Sequence, residues 1–332
     1  MGNGEEGVAE AAGRQEAVSP EHGGAAAAGL RETPPVMPGE ALEAWREAVA
    51  RHRDWLEGLP GGEPCSLKKL RIEGVRAPRA RLERGEFHSV ELPAADLHGA
   101  QLAESHWEQC SLKLANLAAA ALDGAELRQV ELNDACLASA SLCGAVMEGC
   151  RLEKARAQGS RWMEAGLGRA DFTGAVLREA GFHQAAMMEC LFAGTELARA
   201  LFYRAALRFC RFLGCRGEEA RFSGALLQHC RFQNCSLERA RFTEANLGGT
   251  AFHGCALAGS DFSGAKLGGA QFNGSRLEGA KFAGAVCAGA DFRGANLRGA
   301  QGLTLHELLR ARTDAATILP WGAAGPAMRG SR

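Results

Sequence analysis

The amino-acid sequence predicts an all-β solenoid, in which short strands wind into a parallel β-helix. A five-residue period runs from Leu82 to Leu297 without a change of frame. In 41 of its 44 units the central residue is Leu, Phe, Met or Trp, and the residue two positions earlier is almost always small. An α-helix repeats near 3.6 residues and a strand near 2, so a sustained period of five requires another repetitive architecture.

The units Ala290–Gly294 and Ala295–Gly299 each run small, polar, large apolar and then two variable residues. In this pattern the chain resembles the pentapeptide-repeat family. The resemblance covers roughly two thirds of the chain. It implies a right-handed quadrilateral β-helix with one unit per side and 20 residues per coil, so the 44 units would form about 11 coils.

The second half of the repeats carries Phe at every tenth residue from Phe172 to Phe292, with Leu at most central positions between them. In a 20-residue coil this places Phe on two opposite faces, where the rings are expected to stack at the strand spacing of ~4.8 Å. The position two after the centre is Gly in every unit from Gly249 to Gly299. Gly there predicts tight corners with positive φ.

Changes of pattern divide the chain into five segments. They are a disordered acidic tail rich in Gly, Ala and Pro (1–38), an amphipathic N-terminal capping helix (39–62), the repeat β-helix (63–302), a C-terminal helical cap and plug (303–322), and a second disordered tail (323–332). The absence of an apolar period is the basis for both tails.

Both caps are short α-helices that follow from local signals. At the N-terminus an apolar stripe favours a cap over the open edge of the first coil, with a partner-binding helix as the alternative. The stripe consists of Leu42, Trp45, Val49, Leu56 and Leu59. At the C-terminus, Thr304 and Glu307 have the spacing of a capping box, which predicts a helix start.

No residue pattern indicates catalysis, since nucleophile elbows, phosphate loops and metalloprotease motifs are missing from the sequence. Cys210 and Cys215, like Cys230 and Cys235, have the spacing C-x₄-C, which could supply zinc ligands. All four occupy the small inward position, so packing is the preferred interpretation, with a metal or a disulfide as the alternatives. We therefore expect no enzyme activity, no catalytic residue, no small-molecule substrate, no metal and no cofactor.

Charge is unevenly distributed along the repeats. The stretch 151–241 has 15 basic and 9 acidic residues, whereas the coils before it are acidic. With 20 residues per coil, Arg211 and Arg231 stack on one face, and Arg221 and Arg241 stack on the opposite face. A binding surface is one explanation, and a solvated face without function is the other.

Large apolar residues occupy outward positions in the same stretch. Met188, Phe209 and Leu226 fall on one face in three successive coils, which predicts an interface with a rim of arginines. The predicted partner-binding residues are Met188, Tyr203, Arg204, Arg208, Phe209, Arg211, Arg221, Leu226, Arg231 and Arg241.

These features favour a non-enzymatic scaffold for protein–protein interaction. The resemblance adds an adaptor or effector role linked to bacterial secretion, because similar repeats accompany type VI secretion proteins. One alternative is a DNA-mimicking inhibitor or modulator of DNA gyrase, as in the quinolone-resistance branch of the family, which the basic middle disfavours. The other is a nucleic-acid-binding rod, which the acidic first coils disfavour.

The sequence has no apolar stretch long enough for a signal peptide or a membrane span. We therefore expect a cytoplasmic protein without a membrane span, with secretion by a route that needs no cleaved signal peptide as an alternative. The expected partner is a protein, and neither its identity nor the oligomeric state follows from the residues.

Overall fold

A computed structural model describes residues 38–325 of the chain. Residues 1–37 and 326–332 lie outside the described residues, and with them most of the two segments expected to be disordered tails. The described chain consists of a helix, a long run of stacked coils, a short second helix and a closing segment.

The regular elements are two α-helices and twelve three-residue strands within the described residues. They are α1 (Pro38–Leu56), β1 (Ser66–Lys68), β2 (Glu86–His88), β3 (His106–Glu108), β4 (Glu126–Arg128), β5 (Val146–Glu148), β6 (Gly166–Gly168), β7 (Ala186–Met188), β8 (Leu191–Ala193), β9 (Ala206–Arg208), β10 (Arg211–Leu213), β11 (Arg231–Gln233), β12 (Ala251–His253) and α2 (Leu305–Arg310).

The strands form two parallel sheets whose paired residues are 20 positions apart. One sheet has eight strands, β1 to β7 and β9, and the other has four, β8 and β10 to β12. We call these sides face 1 and face 2, and the next two sides in chain order face 3 and face 4. Isolated parallel bridges such as Arg76↔Asp96 and Arg81↔Gln101 hold faces 3 and 4 together at the same spacing.

The predicted β-solenoid with four sides and 20 residues per coil is therefore confirmed. The number of coils differs slightly from the predicted eleven. Pairing already begins with Ser66↔Glu86, before Leu82, the residue from which the units were counted. The earlier units escaped the count because their pattern is looser, with Leu67, Ile72 and Ala77 as central residues.

The core consists of the central and small residues of every unit, as the period predicts. The predicted Phe ladders on opposite faces are confirmed. On face 2, Phe212 stacks on Phe192 at 4.6 Å and on Phe232 at 4.4 Å, with rings within 5° of parallel. On face 4, Phe222 stacks on Phe202 at 4.7 Å. Rings of the two ladders meet edge to face, so each Phe packs both along and across the coil.

Polar residues in the small inward position bond back to the preceding coil. Each donates its side-chain hydrogen to the carbonyl oxygen of the residue 23 positions earlier. Thr195 Oγ1 lies 2.9 Å from Phe172 O, and Cys215 Sγ lies 3.0 Å from Phe192 O. A buried hydroxyl or thiol is thus satisfied without a partner from outside the stack.

The corner residue of most units, two after the centre, has a left-handed backbone conformation. Gly249 has φ 68°, as the glycine run predicts. Phe209 (φ 56°) and Glu244 (φ 58°) adopt the same conformation without being glycine, which the sequence did not predict. Such a conformation costs a non-glycine residue roughly 1–2 kcal/mol. Hydrogen bonding between coils offsets that cost, because the corner amide of Glu244 donates to Ser263 O at 2.9 Å.

Helix α1 packs against the first coils through Ala41, Trp45 and His52, all of them buried. The His52 Nδ1 accepts a hydrogen bond of 2.8 Å from the backbone N–H of Cys65. The apolar stripe of the sequence was extended too far, because α1 ends at Leu56 and Leu59 is 49% exposed. A capping function for α1 stays a prediction.

The predicted capping box at α2 is confirmed. Glu307 N donates to Thr304 Oγ1 at 3.3 Å, and Thr304 N donates to the Glu307 carboxylate at 2.7 Å. After α2 the chain returns to the ladder, where Arg312 bridges Asp291. This pairing occupies backbone groups of the last coil that would otherwise face solvent.

The frame of the repeats predicts unequal effects of the same substitution at two phenylalanines. Phe232→Asp is expected to destabilise the protein by roughly 3–5 kcal/mol or more, because it places a carboxylate in the stacked core. Phe209→Asp, at an exposed corner, should change stability by less than about 0.5 kcal/mol. Thermal and urea unfolding followed by circular dichroism measure both, and equal losses would contradict the register.

His52 predicts a pH dependence of stability. Burial lowers the pKa of His52 below its usual 6.5, since the neutral ring accepts the Cys65 amide. A lowered folded-state pKa contributes stability that is present above pH 6.5 and lost as pH falls through the folded value. His52→Asn retains an acceptor but cannot titrate. Wild type should lose unfolding temperature relative to this variant below pH 6.5, and a difference independent of pH would refute the argument.

Candidate binding surface

All ten predicted partner-binding residues are exposed, but they occupy three faces instead of one. Face 2 carries Arg211 and Arg231, face 4 carries Tyr203, Arg204, Arg221 and Arg241, and face 1, between them in chain order, carries Met188, Arg208, Phe209 and Leu226. The predicted Arg211–Arg231 and Arg221–Arg241 columns are both present, on opposite faces. The surface is therefore centred on face 1, with an arginine column on either side.

The apolar side chains of face 1 are fixed by the sheet register. Met188 pairs with Arg208 across β7 and β9, and Leu226 bridges Ala206 one coil later. Met188 is 47% exposed and Leu226 44%. Successive coils therefore present apolar side chains to solvent on one side of the stack, where no described residue covers them.

Phe209 lies at the corner between faces 1 and 2. Its ring stacks on the His229 ring of the next coil, with centroids 5.5 Å apart and planes within 13° of parallel. The Arg208 guanidinium carbon lies 5.9 Å from the Phe209 ring centroid. The ring is 48% exposed, so this arrangement presents an aromatic platform beside a cation.

The arginines of the surface have no partners of opposite charge. None of the six forms an ion pair with another described residue. Elsewhere on the coils, arginines pair with glutamates in adjacent coils, as Arg199 does with Glu179 at 2.8 Å. On face 4, Arg204 instead lies over the ring of Tyr203, 5.0 Å from its centroid.

An open groove of about 630 Å³ runs along the corner between faces 1 and 2. Its lining contains no carboxylate. The lining residues are Phe209, Arg211, His229, Arg231, Gln233, Gly249, Ala251, His253 and Gln271. The sequence analysis missed His229 and His253, although counting 20 residues on from Phe209 and Gln233 would have found them.

Two family models describe the repeats. One, the pentapeptide repeat region, matches residues 185–262 and 227–302, and the other, pentapeptide repeats (8 copies), matches residues 95–134 and 164–194. Together they cover more than half of the chain. The chain belongs to the pentapeptide-repeat family. No functionally curated protein matches it.

Solved structures of other pentapeptide-repeat proteins are similar to this one. HetL, a protein involved in heterocyst differentiation regulation in the cyanobacterium Nostoc sp., is 22% identical over 86% of this chain and 98% of its own, with a TM-score of 0.33. Full-length QnrB1, a plasmid-mediated fluoroquinolone resistance protein, is 18% identical over 75% of this chain and 93% of its own, with a TM-score of 0.24. A thylakoid-lumen protein of Arabidopsis thaliana is 27% identical over 32% of this chain and 81% of its own, with a TM-score of 0.18.

The cysteines of this pentapeptide-repeat protein are largely part of its packing. Ten of the twelve thiols are buried, and Cys136 and Cys143 are partly exposed. Burial raises the pKa of Cys150 to about 11 and that of Cys287 to about 12. Among residues 38–325, no three His, Cys, Asp or Glu side chains are arranged to hold a metal ion. Neither α1 nor α2, the helices of the described chain, is long and apolar enough to cross a bilayer.

Thiol burial predicts a simple pattern of chemical reactivity. In the folded protein at pH 8, dithionitrobenzoate should react with no more than the two partly exposed thiols, and in denaturant with all twelve. Replacing Cys210, Cys215, Cys230 and Cys235 together by Ala should lower stability modestly and leave the zinc content unchanged. Stoichiometric zinc in wild type that disappears in this variant would show that these thiols are metal ligands.

Proposed function

We propose that this protein is a non-enzymatic scaffold that binds a protein partner through face 1 and its two flanking arginine columns. The observation that carries the proposal is the coincidence of exposed apolar side chains with arginines that lack ion pairs. Single exposed apolar residues are ordinary, but a contiguous group beside arginines has the composition of the centre of a protein interface.

The interior of the coils supports a role without catalysis. The central and small positions are filled by side chains that are almost fully buried, including Phe172, Phe212 and Phe252 at 0% exposure. A close-packed interior of this kind offers no enclosed cavity in which a substrate could be separated from water. Recognition therefore takes place on the outer faces, where side-chain identity is free to vary.

Two other functions make different demands on the same surface. A DNA mimic that modulates gyrase needs rows of carboxylates, whereas the paired columns of the middle coils carry arginine at Arg211–Arg231 and Arg221–Arg241. Nucleic-acid binding is favoured by those columns and by the stacked rings of Phe209 and His229, which makes it the second candidate. An adaptor or effector role in bacterial secretion, and a cytoplasmic location, are hypotheses that rest on family resemblance alone.

Substituting the two apolar anchors tests the scaffold. Met188→Ser with Phe209→Ser should weaken capture of the partner from an extract of the host by roughly tenfold or more, because centrally placed anchors dominate interface energies. Thermal unfolding should be nearly unchanged, since both side chains are about half exposed. Captured proteins are compared quantitatively by mass spectrometry.

A matched control is available on other coils. Val146 and Met163 are as exposed as the two anchors, at 47% and 45%, but lie outside the predicted surface. Val146→Ser with Met163→Ser should retain the partner. If the anchor variant also retains every partner, or if wild type inhibits DNA supercoiling by gyrase, the scaffold proposal is wrong.

A further inference from the structure

One outward column of face 2 shows both compensated and uncompensated arginines. The column takes one residue from each coil, 20 positions apart along the chain. Near its start Arg71 pairs with Glu91 in the next coil, and further along Arg151 pairs with Glu131 at 3.1 Å. Within this column the protein itself supplies the carboxylate that neutralises each of these two arginines.

The third pair of coils breaks this rule. Arg211 and Arg231 are register partners in β10 and β11, so two cations face each other where the other sites pair a cation with an anion. Their neighbours in the column are Leu191 and Ala251, which carry no charge. Two unit charges at the strand spacing of ~4.8 Å repel by about 1 kcal/mol in bulk water, and by more where water is excluded.

The same two arginines line the groove at the corner between faces 1 and 2. One wall is the Phe209–His229 stack, and the floor continues past Gly249, which has no side chain to block it. The remaining polar side chains of the groove, including Gln233 and Gln271, can donate hydrogen bonds. An occupant of this groove meets donors and an aromatic face and no carboxylate.

We propose that this groove binds an acidic segment of a protein partner. A carboxylate of that segment takes the place between Arg211 and Arg231 that a glutamate takes beside Arg71 and Arg151 in the same column. An apolar side chain of the segment packs on the Phe209–His229 stack. The inference rests on the proposed function and specifies the chemistry of its partner.

A synthetic peptide tests the inference directly. The probe is fluorescein-labelled Gly-Glu-Leu-Glu-Phe-Glu-Gly, and its control has all three Glu residues replaced by Gln. Fluorescence anisotropy with the full-length protein should show binding of the Glu peptide, weakening as salt is added, and at least roughly tenfold weaker binding of the Gln peptide. Equal affinities for the two peptides would overturn the inference.

Charge reversal locates the site. Arg211→Glu with Arg231→Glu should abolish binding of the Glu peptide. Arg276→Glu with Arg298→Glu changes the net charge equally at two other exposed arginines and should leave the affinity within about twofold, as expected for screened distant charges. Equal losses in both variants would mean attraction by overall charge, which contradicts a defined groove.

A third variant leaves both arginines in place. Leu191 pairs with Arg211 in the ladder, at the position that Glu131 has relative to Arg151. Leu191→Glu supplies the missing carboxylate within the chain and should therefore compete with the peptide and reduce its affinity by roughly tenfold. Unchanged affinity in Leu191→Glu would show that the peptide carboxylate does not bind between these arginines.

Competition separates the acidic segment from other anions. An excess of inorganic phosphate at matched ionic strength, or of a single-stranded oligonucleotide of equal charge, should displace the Glu peptide poorly. Stronger binding of either competitor overturns the inference in favour of a phosphate or nucleic-acid site. If the peptide fails while the Met188/Phe209 variant still loses its partner, only the inference is wrong. If that variant keeps its partner, the proposed function is wrong as well.

Discussion

Every other feature of this protein depends on the vertical alignment of identical positions in successive coils. Each backbone amide and carbonyl that points along the stack is paired with a residue about one coil away, and this pairing sets the spacing at which side chains repeat. The same alignment that stacks Phe212 on Phe232 inside the coil also places Arg211 beside Arg231 outside it. Core packing and surface charge are therefore two results of one register.

That register explains why the sequence predicts the interior so well. An inward position accepts only a large apolar residue at the centre and a small one two places earlier, so the pattern is nearly without exception and can be counted by eye. The Phe ladders, the burial of most cysteines and the positions of the arginine columns all follow from counting in steps of five and twenty. The Thr304–Glu307 capping box was equally predictable, because its two hydrogen bonds are local.

The features that the sequence did not predict depend on interactions with little local signal. Helix α1 was extended to Leu59 because periodicity alone cannot show where the chain leaves the helix to meet the first coil. The left-handed conformation of Phe209 and Glu244 was missed, since neither residue type favours it and only the pairing of their amides with the next coil stabilises it. The candidate surface was assembled from exposed residues of three faces, and only the structure separates the Arg211 column from the Arg221 column.

The left-handed corners also affect how the surface can evolve. Glu189, Phe209, His229 and Gly249 follow one another in a single corner column, and all four have φ between 56° and 68°. An acid, an aromatic ring, an imidazole and a bare backbone thus share one conformation, because the coil imposes it regardless of the side chain. Mutations can exchange recognition chemistry at such a position without redirecting the main chain. A lineage of these proteins can therefore change its partners by rewriting corners, while the interior stays fixed by selection for folding.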